Sequence, residues 1–218
     1  MRIILFAVLA FVLMTIQPRT ARADYFVWKD AHIRLSLSFP DTWQQVNNAD
    51  PDDILTIMAP SGRGQAQCRI RVRADRRHII YPSRFGWAIQ KIDYSMGFWD
   101  DYLQEYTDPS ISMMHDGAGF GRAFGSYVEA SYQGIVPGPE MSRKMLGFAS
   151  LYYDKAYILE CSAHRDAFDQ WRTSFLSIAK SIDFDKRYNE AFTGNYRNFM
   201  GDPRLILPRE DEMGSMSY

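Results

Sequence analysis

Two cysteines and four histidines among 218 residues leave little material for a metal centre or a thiol active site. Neither Cys68 nor Cys161 has a C-x-x-C partner, so no local redox motif activates a thiol. His32, His78, His115 and His164 form no H-E-x-x-H or H-x-H element, and a composite metal site would need ligands from separate strands to converge. The acidic cluster Asp50, Asp52 and Asp53 lacks the spacing, central glycine and distant glutamate of an EF-hand loop, and reads as a solvated turn. No G-x-S-x-G element occurs to supply a hydrolase nucleophile. The glycine-rich run 117–121 is followed by strand-like sequence rather than a helix, which predicts a hairpin turn and no phosphate loop. No nucleophile, acid–base pair or cofactor fingerprint emerges, so the chain is read as non-catalytic and cofactor-free. Basic charge is not in excess either, with 25 Lys and Arg against 26 Asp and Glu. That balance argues against general nucleic-acid binding.

Long apolar runs are equally scarce, and the one present lies at the start. Arg2 supplies a basic beginning, residues 3–16 an apolar core, and Ala21, Arg22 and Ala23 a small-x-small cleavage site. Residues 1–23 therefore read as a secretory signal cleaved near Ala23, placing the mature protein in the periplasm or outside the cell. The run is shorter than the roughly 20 residues a membrane span needs. Loss of Arg2, Arg19 and Arg22 leaves 22 basic against 26 acidic residues, a mildly acidic chain. About 195 residues remain, enough for one domain with a substantial core.

The clearest architectural signal is the stretch 151–184. Tyr157, Leu159 and Cys161 alternate with Ile158, Glu160 and Ser162, the period of a strand packed mainly on one face. Phe168, Trp171, Phe175, Ile178 and Ile182 then recur at steps of three and four, forming one stripe of a helix. Ser162 or His164 suits the cap, and Lys180 the last turn.

Upstream, residues 25–29 and 33–39 predict a hairpin with Ile33, Leu35, Leu37 and Phe39 buried. A short strand over 44–47, another over 54–59, and turns at 50–53 and 60–64 follow. Residues 82–106 predict a long, interrupted helix with Phe85, Ala88, Ile89, Ile92, Met96, Trp99, Tyr102 and Leu103 at helical spacing. Gly86 and Gly97 weaken its continuity, and Asp108 with Pro109 ends it. Strands over 110–115, 122–132 and 143–154 form an antiparallel series divided by glycine-rich turns. The packed domain is thus 24–184. Residues 185–218 show no sustained period and read as an appended arm.

Ala66, Cys68, Ile70 and Val72 alternate with Gln65, Gln67, Arg69, Arg71 and Arg73. Side chains two apart on a strand share a face, so Arg69, Arg71 and Arg73 make a basic row that Arg76 and Arg77 extend. The row suits an acidic protein partner, or peripheral contact with anionic lipid head groups; the alternative is a solvated strand face. Each cysteine falls on the apolar side of its strand. In an oxidising compartment a Cys68–Cys161 disulfide is expected, two buried thiols being the other possibility.

An early strand ending in Phe39-Pro40-x-x-Trp43, a mid-chain helix, several antiparallel strands and a closing strand–helix that ends in FLSIAKSIDF together resemble the PsbP-like family. That family includes photosystem II extrinsic proteins and exported bacterial relatives, and the resemblance spans 25–184. It implies an α+β fold, an α-β-α sandwich with a central antiparallel sheet. It also implies an exported accessory protein that binds a protein partner or envelope complex, with a small-ligand or metal-binding module as the alternative.

Overall fold

A computed structural model describes residues 24–60, 64–81, 85–120, 123–134, 141–152 and 154–185. The expected signal segment 1–23 and residues 186–218 of the expected arm lie outside the described residues. No helix among them is long and apolar enough to cross a membrane.

The strand β9, Lys155–His164, forms where the period-two pattern predicts it, at the centre of a seven-stranded sheet. Its neighbours are β5, Gln67–Ala74, and β8, Ser142–Tyr152. Beyond β5 lie β4, Asp53–Met58, and β3, Gln44–Val46; beyond β8 lie β7, Ala123–Gln133, and β6, Thr107–Phe120. Every pairing is antiparallel. The hairpin of β1, Tyr25–Asp30, and β2, Leu35–Pro40, joins a short β10, Asp183–Phe184, in a second sheet.

Helices cover both faces of the large sheet. After a 3₁₀ turn at Arg165–Ala167, α3, Phe168–Ser181, packs its stripe of Phe168, Phe175 and Ile178 into one core, which also holds Leu35, Leu37, Phe39 and Trp43. The His164 ring accepts the Asp166 N–H and so serves as the cap. Trp171 is only partly buried, and its ring meets Trp43 edge-on at 5.7 Å. On the other face α1, Gly86–Asp93, and α2, Met96–Leu103, cover a second core around Tyr94, Trp99, Val128, Met145 and Ile158. Gly147 lets the Trp99 ring approach, because a Cβ there would stand 2.8 Å from that ring. The architecture is the expected α+β layering, helix on sheet on helix.

Three local expectations change. The break between α1 and α2 falls at Tyr94 and Ser95, not at either glycine. Asp108 and Pro109 lie inside β6, in a register irregularity where Asp108 adopts φ 49°. Residues 117–120 continue that strand instead of forming the turn. In addition, β9 is buried on both faces, because α2 covers the side that carries Glu160.

Cys68 and Cys161 are register partners in β5 and β9 and are joined by a disulfide, with their Cα atoms 4.0 Å apart. It spans 93 residues of sequence, so on chain-entropy grounds its reduction should lower unfolding stability by about 4 kcal/mol. Urea unfolding of the mature protein with and without reductant measures this.

Candidate functional site

The arginine row stands on β5, whose odd-numbered side chains face α2. Arg69 is the register partner of Glu160 and donates to its carboxylate at 2.9 Å. The Tyr102 and Tyr106 hydroxyls donate to the same oxygen, at 2.9 and 2.7 Å. Burial first, and the Glu160 charge second, push both phenols well above the ordinary tyrosine range, so they stay protonated as donors. Arg71 is only 1% exposed. Its guanidinium reaches Asp53 at 2.9 Å, Glu105 at 2.6 Å and Asp50 at 2.5 Å, and its face lies over the Tyr102 ring.

The structure therefore differs from an exposed basic row. Alternation correctly puts the arginines on one face, but α2 and the Asp50–Asp53 turn cover it, so Arg69 and Arg71 neutralise carboxylates of their own chain. The acidic turn is solvated only in part, since Asp53 is buried. Arg73 pairs with Asp52 at 2.8 Å, both half-exposed, and Arg76 and Arg77 project into solvent. No group of three or more candidate metal ligands occurs among the described residues.

A second site lies where β5 runs into α1. The Asp75 N–H bonds the Asp154 carbonyl at 2.7 Å, so the chain turns at the end of the β8–β9 hairpin. Arg77 grips the Asp75 carboxylate with two nitrogens, at 2.9 and 2.6 Å, and the Tyr94 hydroxyl donates to it at 2.8 Å. The Arg77 hydrogen bonds hold Asp75 down to about 2 against the opposing effect of burial, with Tyr94 assisting. Gln90 anchors α1 by donating to the Leu151 carbonyl at 2.6 Å.

This brace holds up an apolar cavity of about 320 Å³. Tyr81, Phe85, Ala88, Ile89 and Ile92 form its walls, and His78 in contact with Asp93 lines its polar end. Around it, large apolar side chains face water: Ile80 is 81% exposed, Ile92 74% and Ile79 61%. Phe85 and Ile92 thus depart from the buried stripe that their spacing predicts. Helical spacing identifies them as one face, but α1 is only eight residues long and turns just part of that face to the sheet. The signal that could have marked the site is the consecutive Ile79-Ile80-Tyr81 outside any regular element.

No family model and no curated protein matches the chain. Among solved structures it is similar to the solution structure of a cyanobacterial PsbP from Synechocystis sp. PCC 6803. That match is 14% identical, covers 77% of this chain and 96% of that one, and has a TM-score of 0.49. It is similar as well to LpqN, described as involved in cell envelope biogenesis of Mycobacterium tuberculosis, at 13% identity, 73% and 90% coverage and TM-score 0.45. A third likeness, at 4% identity, 75% and 96% coverage and TM-score 0.46, is to the Saccharomyces cerevisiae Ran-binding protein Mog1p. The PsbP-like resemblance read from the sequence thus has a PsbP among its structural likenesses. Identities this low concern the path of the chain and leave function to the residues themselves.

Two substitutions check the electrostatics. Arg71→Met leaves the Asp53 carboxylate buried without its cation and should cost about 3–5 kcal/mol, whereas Arg71→Met with Asp53→Leu should recover most of it; urea midpoints of the two variants decide. For Asp75 the folded value lies below the unfolded one of about 3.9, so its contribution is complete above that pH and disappears as pH falls through about 2. Asp75→Asn should therefore be less stable than the parent at pH 6, and the gap should close progressively below pH 4 in acid-unfolding curves.

Proposed function

We propose that the protein is an exported, non-catalytic accessory protein that docks an apolar segment of a protein partner, a component of an envelope complex, on the surface formed by Ile79, Ile80, Tyr81, Phe85 and Ile92. The observation that carries this is that five of the nine exposed large apolar side chains among the described residues line one cavity or adjoin it in sequence, the other four being Tyr25, Phe26 and Val27 of β1 and Met141. Exposed apolar clusters of this kind, rimmed by polar groups, mark interaction surfaces. Arg77, which approaches Asp93 of the cavity lining at 3.8 Å, stands at the rim, and Arg73 and Arg76 also reach solvent. They are the part of the arginine row suited to an acidic partner or to peripheral contact with an anionic membrane; Arg69 and Arg71 belong to the interior.

The signal-like pattern of residues 1–23 and the Cys68–Cys161 disulfide support action in an oxidising, exported compartment. The domain would then be 24–184, with 185–218 as an appendage. A second reading has its own observation: about 320 Å³ of apolar cavity lies at the lower end of small-ligand sites. An apolar ligand would occupy the same walls, with His78 and Asp93 meeting any polar end.

Ile80→Asp and Ile92→Asp separate docking from stability. Both positions are solvent-facing, so each should change unfolding stability by no more than about 0.5 kcal/mol while abolishing capture of the partner. Cross-linking in the native envelope, with the captured protein identified for parent and variants, provides the readout. Identical capture by both variants would remove this surface from the proposal, and native mass spectrometry of protein from its own host tests for a small ligand.

A further inference from the structure

The described chain ends at Asp185, and 33 further residues follow in the sequence. Asp185 is held by two bonds: its N–H donates to the Arg34 carbonyl at 2.9 Å, and its own carbonyl accepts the Tyr152 hydroxyl at 3.3 Å. Tyr152 and Leu151 are consecutive residues of β8, and the Leu151 carbonyl is the group that anchors Gln90 of α1. The exit of the arm and the helix that walls the cavity are therefore fixed to neighbouring residues at one end of the β8–β9 hairpin, on opposite faces of the sheet. A chain that rounds this end arrives at the cavity.

The composition of the arm fits what it would meet. Leu205, Ile206 and Leu207 are its only three consecutive branched aliphatics, and Pro208, Arg209 and then Glu210, Asp211 and Glu212 follow. Arg76 stands two residues before His78 of the cavity lining; its side chain is 76% exposed, and its ion pair with Asp154 is 3.9 Å long, whereas Arg77 is already held by Asp75. Leu205 lies twenty positions beyond Asp185. Extended, that stretch reaches about 65 Å, far more than the route around a hairpin end requires.

We propose that the segment 205–212 of this same chain docks in the cavity, with Leu205, Ile206 and Leu207 against Phe85, Ile89 and Ile92 and with Glu210, Asp211 and Glu212 toward Arg76. This rests on reading the patch as a docking surface, and it means that a partner must displace the arm to bind. Tethering makes the contact effective even when the segment alone binds weakly. A short tether holds its end at an effective concentration of about a millimolar, so a dissociation constant of about 0.1 mM would still leave the cavity roughly nine-tenths occupied. It also gives the exposed isoleucines a cover in the free protein.

The test uses the full mature chain with Ile92→p-benzoylphenylalanine, irradiated alone over a hundredfold dilution series. The expected product is an intrachain link to a peptide within 205–212, at a yield independent of concentration. Adding Leu205→Asp and Leu207→Asp should cut that yield by roughly tenfold or more. Links that join two chains and fall with dilution would identify a second copy as the occupant and overturn the proposal. Links only to residues 24–185, or to 186–200, would overturn it as well. Should the same probe capture a partner in the envelope while the isolated chain shows no arm link, the arm proposal falls and the docking surface stands. An arm link together with unchanged partner capture by Ile80→Asp would uphold the arm contact and remove the partner from this surface.

Discussion

The pairing of β5 with β9 is the seam on which the molecule depends. It alone joins the three strands β3, β4 and β5 to the four strands β9, β8, β7 and β6. Adjacent register positions reinforce it on opposite faces. Cys68 and Cys161 close it covalently on the α3 side, and Arg69 with Glu160 closes it electrostatically on the α2 side. A strand pair of high sequence separation must overcome a large loop-closure entropy before its contacts reward it. The disulfide removes much of that entropy from the unfolded chain, and the buried ion pair then sets the register, because a slip of β5 by one residue would turn Arg69 into the α3 core and Cys68 out of it, leaving Glu160 without its cation.

The charges around the seam also explain why the α1–α2 face is polar at one end and apolar at the other. Near β4 and β5, two guanidiniums are shared among Asp50, Asp53, Glu105 and Glu160, with tyrosine hydroxyls filling the remaining acceptor positions. Every buried charge there has a partner, which is the condition under which such a network can be kept inside a protein. Toward β7 and β8 the same helices pack on Val128, Met145 and Ile158. Trp99 marks the change, its ring in the apolar core and its indole N–H on the Ser126 hydroxyl at 2.9 Å.

How far the sequence reveals this depends on which physical signal each element leaves. Strand β9 and helix α3 carry strong periods, 2 and then 3.6, and both form where expected. The cysteine pairing is legible because both residues lie on the apolar sides of their strands. The arginines fall on the correct face, yet alternation says which side chains share a face and nothing of what lies over it; Tyr102, Glu105 and Asp50 come from segments whose approach to β5 is set by tertiary packing. Phe85 and Ile92 fail in the opposite direction. Their helical spacing is real, but α1 has only eight residues and is anchored through Gln90, so part of its apolar stripe faces water.

That exposure has a mechanical cause. The turn from β5 to α1 is not held by apolar burial but by a polar brace, Asp75 with Arg77, Tyr94 and the Asp154 carbonyl, joined by His78 with Asp93. Such a brace fixes the backbone without consuming apolar side chains, which leaves Ile79, Ile80 and Tyr81 outside either core. A segment built in this way can hold an apolar surface open to solvent and still keep its shape. The Asp75 carboxylate accepts from both Arg77 and Tyr94, so the brace's rigidity depends on its ionisation, whereas the aliphatic walls of the cavity do not titrate. Acid would therefore loosen the support of the surface before it altered the surface itself.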